Sequence, residues 1–362
     1  MAGAKQTPNE ENFAKGEMES LFRIAVESKA SDLHLVVGKP PILRIDGNLK
    51  EITGHEILTE ASAQNFVFSI INEQQKDKFI KERELDLSYE ITDYSRFRVN
   101  MHWEKGNVGL VARIVASRIP TMEEVLMPQI AYQMARLNDG LILVTGPTGS
   151  GKSTTLAAMV NLINTERTCN IVTLEDPIEF IYQPIKSIVK QRELGSDMLT
   201  FASGLKHTLR QDPNVIMVGE MRDLETIAAT MTLAETGHLV LATLHTINAA
   251  QTVDRIIDAF PPYQQDQIRV QLSMSLRGIV SQRLLVKQGG GRIAAREVLI
   301  NNPAIANLIR ENKIAQIKTV IQTAADIGMN TMDQDIKRLF QQNAISKEAA
   351  IANMIDPRSL NT

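Results

Sequence analysis

The chain has few of the residues from which disulfide frameworks and nucleic-acid surfaces are built. A single cysteine, Cys169, among 362 residues excludes an internal disulfide and a zinc site made of several cysteines. Aromatic residues make up 4% of the chain and the formal net charge is -3, which disfavours a basic surface interleaved with stacking aromatics. We therefore expect no nucleic-acid partner.

Long apolar runs are also missing. No stretch approaches the roughly 18 to 20 apolar residues that a membrane-spanning helix needs. The first residues, MAGAKQTPNEENFAKGE, are polar and lack the apolar centre of a signal peptide. We expect a cytoplasmic protein that reaches a membrane only through its partners.

The length of the chain and the change in its apolar pattern after the connector predict two domains. The polar start predicts a solvated tail, and the prolines Pro120 and Pro128 mark a connector. We expect a disordered tail over residues 1–16, a first domain over 17–116, a linker over 117–130 and a second domain over 131–362.

The first domain combines helices with antiparallel strands. Helical spacing of apolar residues covers 17–29, and a second helix is expected over about 60–81. Alternating runs such as SRFRVNMHWE and VGLVARIV are typical of strands, with turns at Asp93 and Gly106. This pattern predicts a mixed antiparallel sheet with helices.

In the second domain, short apolar runs alternate with helical patterns, which predicts a parallel α/β core. A KQGGGR turn at 287–292 predicts a hairpin, and the chain beyond Pro303 is mostly helical. The core strands are expected at 141–145, 170–174, 215–218 and 238–244.

The stretch GPTGSGKS follows the first of these strands and opens a helix, as a phosphate-binding loop does. Glycines let backbone N–H groups turn toward phosphate oxygens, and the start of the helix carries positive charge. Lys152 is expected at the β and γ phosphates of ATP, and Ser153 at Mg²⁺. The candidate nucleotide-binding residues here are Gly146, Pro147, Thr148, Gly149, Ser150, Gly151, Lys152, Ser153 and Thr154.

Two acidic clusters follow apolar strands further along the chain. IVTLEDPIEF places Glu175, Asp176 and Glu179 just past one strand, and NVIMVGEMRD ends in Glu220, where most phosphate-loop enzymes carry aspartate. A carboxylate at either strand end can polarise an attacking water or hold Mg²⁺. Their position favours ATP hydrolysis over storage of the nucleotide.

His238 and His245 flank the next apolar strand, so one nucleotide need not contact both. A structural histidine is the ordinary interpretation of either one. The sharper hypothesis makes His245 a γ-phosphate sensor at the carboxyl end of the strand, and His238 is carried as a candidate nucleotide contact. His207 is expected to be structural.

Positive charge at the transition state is worth about 10³ to 10⁵ in rate when an arginine supplies it. Arg210 lies near the second acidic strand and is a candidate nucleotide contact. The other candidates are Arg96, Arg98 and Arg113 on first-domain strands, although such a row is ordinarily a solvated face.

Together these motifs resemble those of the secretion-type ATPases and, within them, the type IV pilus retraction ATPases (PilT-like). The resemblance runs from about residue 17 to the end and is carried by GPTGSGKSTTLAAM, EDPIEF, GEMRDLETI, AETGHLVLATLHT, SDLHL and FRVN. PAIANLIRE near the C-terminus resembles the AIRNLIRE signature of retraction motors, with Ala306 in place of its arginine.

The resemblance implies a PAS-like N-terminal domain, a RecA-like ATPase domain and a homo-hexamer. It also implies that Arg98 and Arg113 reach a nucleotide phosphate and that Glu175 and Glu220 are the essential acids. We expect Glu175 to orient water and Glu220 to serve Mg²⁺, with the reverse left open.

The function this implies is an ATP-driven motor for type IV pilus retraction at the cytoplasmic face of the inner membrane. Its expected partners are an inner-membrane platform protein of the pilus and a paralogous retraction ATPase. One alternative is an accessory PilU-like subunit that depends on a partner motor, and a second is a nucleotide-binding interaction module. A pilus extension or type II secretion ATPase is disfavoured, since those relatives usually carry a four-cysteine metal site.

Overall fold

The computed structural model describes residues 8–45, 47–92, 94–115 and 118–360. It divides into two compact units, Met1–Arg118 and Ile119–Thr362. The turn predicted at Asp93, the first seven residues of the predicted tail and the predicted boundary between 116 and 117 lie outside the described residues.

The first unit is an antiparallel sheet with helices. Its strands are ordered β3-β2-β1-β6-β5-β4, and neighbours run antiparallel throughout, which confirms the predicted antiparallel sheet. The elements are α1 (Pro8–Glu27), β1 (Asp32–Leu35), β2 (Ile42–Ile45), β3 (Asn48–Glu51), α2 (Glu60–Ser69), α3 (Glu73–Glu82), β4 (Glu84–Ile91), β5 (Ser95–Glu104) and β6 (Asn107–Ile114).

The first helix begins earlier than predicted. α1 starts at Pro8, so the disordered tail predicted over residues 1–16 is helical from Pro8 onward. Proline suits the first turn of a helix, where its missing N–H has no partner to lose. Ala14 and Met18 are buried together with Phe22, and their helical spacing extends the apolar face toward the N-terminus.

The single helix predicted over 60–81 is two helices. Asn72 interrupts the pattern, because its side-chain oxygen accepts a hydrogen bond from the N–H of Gln75 at 2.9 Å and caps α3. The Gln75 side chain accepts one from the N–H of Asn72 at 3.0 Å in return. This reciprocal cap fixes a new helix start.

The second unit is a parallel sheet covered by helices. Its strands are ordered β13-β12-β7-β11-β10-β8-β9, and the β12–β13 hairpin supplies the antiparallel pairing. The elements are α4 (Gln129–Ala135), β7 (Gly140–Thr145), α5 (Lys152–Glu166), β8 (Asn170–Glu175), β9 (Ile188–Glu193), α6 (Phe201–Thr208), β10 (Val215–Val218), α7 (Leu224–Glu235), β11 (Leu239–Leu244), α8 (Ala249–Asp258), α9 (Pro262–Ser275), β12 (Leu276–Val286), β13 (Arg292–Ile300), α10 (Pro303–Arg310), α11 (Ile317–Thr323), α12 (Met332–Gln341) and α13 (Lys347–Asn353).

The predicted α/β class, core strands and hairpin are confirmed. The sequence interpretation missed β9, because its residues IVKQRE are mostly charged or polar and only partly buried. An edge strand with one solvated face does not produce the apolar run that marks a central strand.

Parallel pairing brings the functional segments to one edge of this sheet. β7, β10 and β11 are fully buried, and Thr145 at the end of β7 pairs with Leu244 at the end of β11. Val218 at the end of β10 pairs with Ala242 of β11 and with Leu174 of β8. The loops after these strands therefore meet at the carboxyl edge, where open α/β sheets place their ligands.

Candidate active site

The loop from Gly146 to Ser153 joins β7 to α5 and has the backbone of a phosphate cradle. Gly146, Gly149 and Gly151 have φ angles of 146°, 76° and 86°, a region that other residues rarely adopt. Gly151 is the N-cap of α5 and makes no side-chain cap. The first N–H groups of α5 therefore have no capping side chain and can bind an anion.

Lys152 lies folded against this loop. Its Nζ donates to the carbonyl oxygens of Gly146 at 2.9 Å and Pro147 at 3.1 Å, and lies 3.4 Å from Nδ1 of His245. Burial lowers the pKa of Lys152, and the nearby Glu220 and Glu179 oppose this effect. A phosphate at the loop would give the ammonium group a stronger partner than two neutral carbonyls.

Glu220 lies between a histidine and an arginine. Its Oε1 is 2.8 Å from Nε2 of His245, and its Oε2 is 2.9 Å from the guanidinium of Arg222. Partial burial favours the neutral acid, but the hydrogen bonds from Arg222 and His245 outweigh it and lower the pKa of Glu220. Glu220 is therefore a carboxylate at neutral pH, one contact away from the phosphate-loop lysine through His245.

Arg222 is a site residue that sequence reasoning missed. Its second guanidinium nitrogen lies 3.4 Å from Oδ2 of Asp176, so it connects the two acidic clusters at the strand ends. The available signal was the arginine two positions after Glu220 in GEMRD, but its contact with Asp176 depends on the pairing of β8 with β10.

Glu175 has a different environment from Glu220. It is buried at the end of β8, with 6% of its surface exposed. It accepts hydrogen bonds from the Thr173 hydroxyl at 2.7 Å, the Gln191 side chain at 3.1 Å and the N–H of Glu179 at 3.4 Å. Burial raises the pKa of Glu175 to about 7, although these hydrogen bonds oppose the rise. A carboxyl group with this pKa can take up a proton near neutral pH.

A cavity of about 470 Å³ opens beside the loop. Ser150, Gly151 and Thr154 line it from the loop and α5, while Leu284 and Ile293 line it from the β12–β13 hairpin. Lys287 and Arg292 also line it, and a cavity with both apolar and charged walls next to a phosphate cradle is suited to the base and sugar of a nucleotide.

Two candidate contacts lie at the other end of the parallel strands. His238 precedes β11 and contacts the carbonyl oxygen of Leu233 at 3.0 Å, and Arg210 lies exposed before β10. The phosphate loop lies at the carboxyl end of the sheet, and the six residues of β11 span about 20 Å. The structure therefore does not bring His238 or Arg210 to the phosphate loop of the same chain. Of the two histidines around β11, His245 is the one beside the loop.

The arginine candidates of the first unit share one row of its sheet. Arg98 and Arg113 are directly paired across β5 and β6, and both are exposed. The Nε of Arg113 donates to the buried Asp32 at 2.9 Å. Arg96 lies 3.5 Å from Glu90. Asp32 holds the Arg113 side chain against the sheet surface, and a phosphate contact by Arg98 or Arg113 stays a prediction.

The residues available to a metal ion suit Mg²⁺ bound together with phosphate. Among the described residues, no group of three His, Cys, Asp or Glu side chains could hold a metal by itself. Mg²⁺ commonly takes one or two protein oxygens and completes its shell with substrate phosphates and water. The Ser153 hydroxyl and the ionised Glu220 carboxylate are oxygen donors of this kind.

Comparison with known proteins shows the family of this chain. The model of the family described as "Type II/IV secretion system protein" matches residues 10–350. The type IV pilus retraction ATPase PilT of Pseudomonas aeruginosa is 46% identical over 330 residues, which are 91% of this chain and 96% of that protein. The type IV pilus ATPase PilU of the same organism is 40% identical over 338 residues, 93% of this chain and 88% of that protein.

A solved structure supports the same relationship. The crystal structure of the pilus retraction motor PilT with bound ADP superimposes with a TM-score of 0.89 at 44% sequence identity. The match covers 95% of this chain and 98% of the chain in that crystal structure. Within the described residues, no helix is long and apolar enough to cross a membrane.

Proposed function

The chain belongs to the type II/IV secretion system protein family, and we propose that it is an ATPase that powers the retraction of type IV pili. The observation that carries the proposal is the contact chain at the carboxyl edge of the second sheet. It runs from Lys152 through His245 to Glu220 and Arg222. Phosphoryl transfer in phosphate-loop enzymes uses a lysine at the β and γ phosphates and an acidic residue that helps to hold Mg²⁺, and this contact chain brings both kinds of residue together.

In this proposal the loop from Gly146 to Ser153 holds the phosphates of ATP, and the cavity of about 470 Å³ takes the base and sugar. Ser153 and Glu220 would hold Mg²⁺, which neutralises phosphate charge when bound. Lys152 leaves the carbonyls of Gly146 and Pro147 to contact phosphate oxygens. His245 then contacts the terminal phosphate. When that phosphate leaves, His245 loses this contact while it remains hydrogen-bonded to Glu220.

We assign the proton of the attacking water to Glu175. Its pKa of about 7 allows it to be ionised before attack and protonated afterwards. Glu220 is a weaker proton acceptor, because Arg222 and His245 stabilise its charged form. The reverse assignment predicts that Glu220→Gln, rather than Glu175→Gln, abolishes turnover while nucleotide and Mg²⁺ still bind.

The assembly proposed for the motor is a homo-hexamer. The exposed Arg98 and Arg113 would supply positive charge to a phosphate, and hydrolysis would be coupled to movement between the two units. The proposed partners are an inner-membrane platform protein of the pilus and a paralogous retraction ATPase, at the cytoplasmic face of the inner membrane.

Sequence identity distinguishes the proposed motor from the accessory, PilU-like alternative. Identity to the retraction ATPase of P. aeruginosa is 46%, against 40% to its PilU. This difference favours a motor that hydrolyses ATP itself over a subunit that depends on a partner.

The test of the proposal is ATP turnover by the purified chain. We expect turnover by the wild type and its loss in Lys152→Ala, because that variant has no amino group for the phosphates. Lys39→Ala, at a surface ion pair with Glu51 in the first unit, is the matched control and should turn over ATP like the wild type. Wild-type turnover as low as that of Lys152→Ala would favour the accessory subunit or the interaction module.

A further inference from the structure

Gln282, a buried glutamine on β12, contacts the phosphate loop and the first turn of the helix that follows it. It is 2% exposed. Its Nε2 donates to the carbonyl oxygen of Ser150 at 2.8 Å, and its Oε1 accepts from the hydroxyl of Thr155 at 2.9 Å. The orientation of the amide is fixed chemically, because a carbonyl oxygen can only accept a hydrogen bond. The side-chain amide thus forms one hydrogen bond with the loop and one with the first turn of α5.

The backbone of β12 also lies directly against the loop. A Cβ atom at Gly146 would lie 2.3 Å from the carbonyl oxygen of Gln282, so only glycine permits this approach. One residue earlier, the hydroxyls of Thr145 and Ser281 are 2.8 Å apart across the paired strands. β12 therefore contacts the chain where the loop begins, at Thr145 and Gly146, and again at Ser150 and Thr155, where the loop leads into α5.

β12 is itself held firmly on its other side. Gln282 is paired with Arg296 of β13, which is 3% exposed. The Arg296 guanidinium donates to the carbonyl oxygens of Val125 at 2.7 Å and Leu126 at 3.0 Å, and its backbone N–H donates to Asp335 at 2.8 Å. A side chain fixed by such surroundings can hold a neighbouring loop in one geometry.

We propose that Gln282 is a positioning residue for nucleotide binding, which holds the phosphate loop in the shape that presents its N–H groups to phosphate. Gln282 also lines the cavity assigned to the base and sugar, and the role proposed here is exerted through its hydrogen bonds to Ser150 and Thr155. This inference rests on one part of the proposed function, which is that the phosphate loop binds a nucleotide.

The first experiment compares wild type with Gln282→Met, which keeps the length of the side chain and removes its polar ends. Binding of a fluorescent ADP analogue gives Kd without turnover, and steady-state assays give KM and kcat for ATP. We expect Kd and KM to rise about tenfold, because the Ser150 carbonyl and the Thr155 hydroxyl lose their shared partner. We expect kcat to stay within about threefold, since the loop holds phosphate equally before and during the reaction.

Thr155 provides a second, independent arm. Thr155→Val should raise Kd as Gln282→Met does, while Thr155→Ser, which keeps the hydroxyl, should bind like the wild type. The double variant Gln282→Met/Thr155→Val should bind less weakly than the product of the two single effects predicts, because both changes remove the same contact. Thr208→Val is the matched control, since this buried helical threonine donates to Gly204 at 2.8 Å, away from the loop.

Two results would overturn the proposal. One is a Kd and a KM within about twofold of wild type in Gln282→Met, even if its melting temperature falls. The other, which also decides the matter if Gln282→Met does not fold, is equal binding by Thr155→Val and Thr155→Ser. If the proposed retraction function is wrong, ATP turnover will be absent or the pili will be unchanged. The differences in ADP affinity among the Gln282 and Thr155 variants will still be observed.

Discussion

Replacing Glu175 with glutamine should abolish ATP turnover and stabilise the second unit above neutral pH. Burial raises the pKa of Glu175 from 4.5 to about 7. Between these two values the folded chain holds a proton that the unfolded chain has released, so stability falls as pH rises and levels off above about 7. The full effect is about 3 kcal/mol, at 1.36 kcal/mol for each pH unit.

Glutamine avoids this penalty because it carries no charge. Its amide oxygen can still accept the hydrogen bonds from Thr173 and Gln191, but its NH₂ group faces the N–H of Glu179 and loses that long contact. The lost contact costs about 1 kcal/mol. The net gain for Glu175→Gln is then about 2 kcal/mol at pH 8 and close to zero at pH 5.

The assay is thermal unfolding without nucleotide, followed by circular dichroism at pH 5 and pH 8. The chain's single tryptophan, Trp103, lies in the first unit and would not report on this site. A gain of about 2 kcal/mol should raise Tm by roughly 4 to 8 °C at pH 8. Glu225→Gln, at an exposed position of α7, is the matched control and should change stability by less than about 0.5 kcal/mol. A Glu175→Gln protein that melts below wild type at pH 8 would refute the reasoning.

Three further predictions follow from named contacts. If Glu175 takes the proton, kcat should fall about tenfold for each pH unit below about 7 and be flat above it, whereas a flat profile from pH 5 to 8 would exclude this role. Gly146→Ala should lose nucleotide binding, measured with labelled ADP, because its Cβ would lie 2.3 Å from the Gln282 carbonyl oxygen; wild-type affinity would mean that the loop can shift. Asn72→Ala should destabilise the first unit by about 1 kcal/mol through the lost cap of α3. Trp103 fluorescence measures this, since the ring of Phe79 on α3 lies 6.1 Å from that of Trp103, and unchanged stability would show that the cap contributes nothing.

Local patterns in the sequence were enough to predict the core strands, the hairpin and the phosphate loop. Each depends on neighbours in the chain, such as an apolar run that leads into glycines and a lysine. The reciprocal cap in NEQQ was equally visible, and overlooking it merged α2 with α3. The start of α1 was missed because polar residues surround Ala14, whose burial only the fold reveals.

Other features depend on strand order, which no local pattern contains. Arg222 contacts Asp176 because β10 pairs with β8, and Gln282 reaches Ser150 because β12 pairs with β7. His238 was a candidate nucleotide contact, yet it precedes β11 and lies at the opposite end of that strand from the loop, whereas His245 lies beside the loop. The position of a residue along its strand decides its role here.

The most direct measurement for a retraction motor is the number and motion of fluorescently labelled pili on living cells. Cells that lack this chain should carry more pili than wild type, the pili should extend without shortening, and the cells should not twitch. Complementation with wild type should restore shortening, and complementation with Glu220→Gln should not. Cells without pili would contradict the account, because they would make the chain an extension motor, and unchanged pilus number and shortening would contradict it in favour of an accessory subunit.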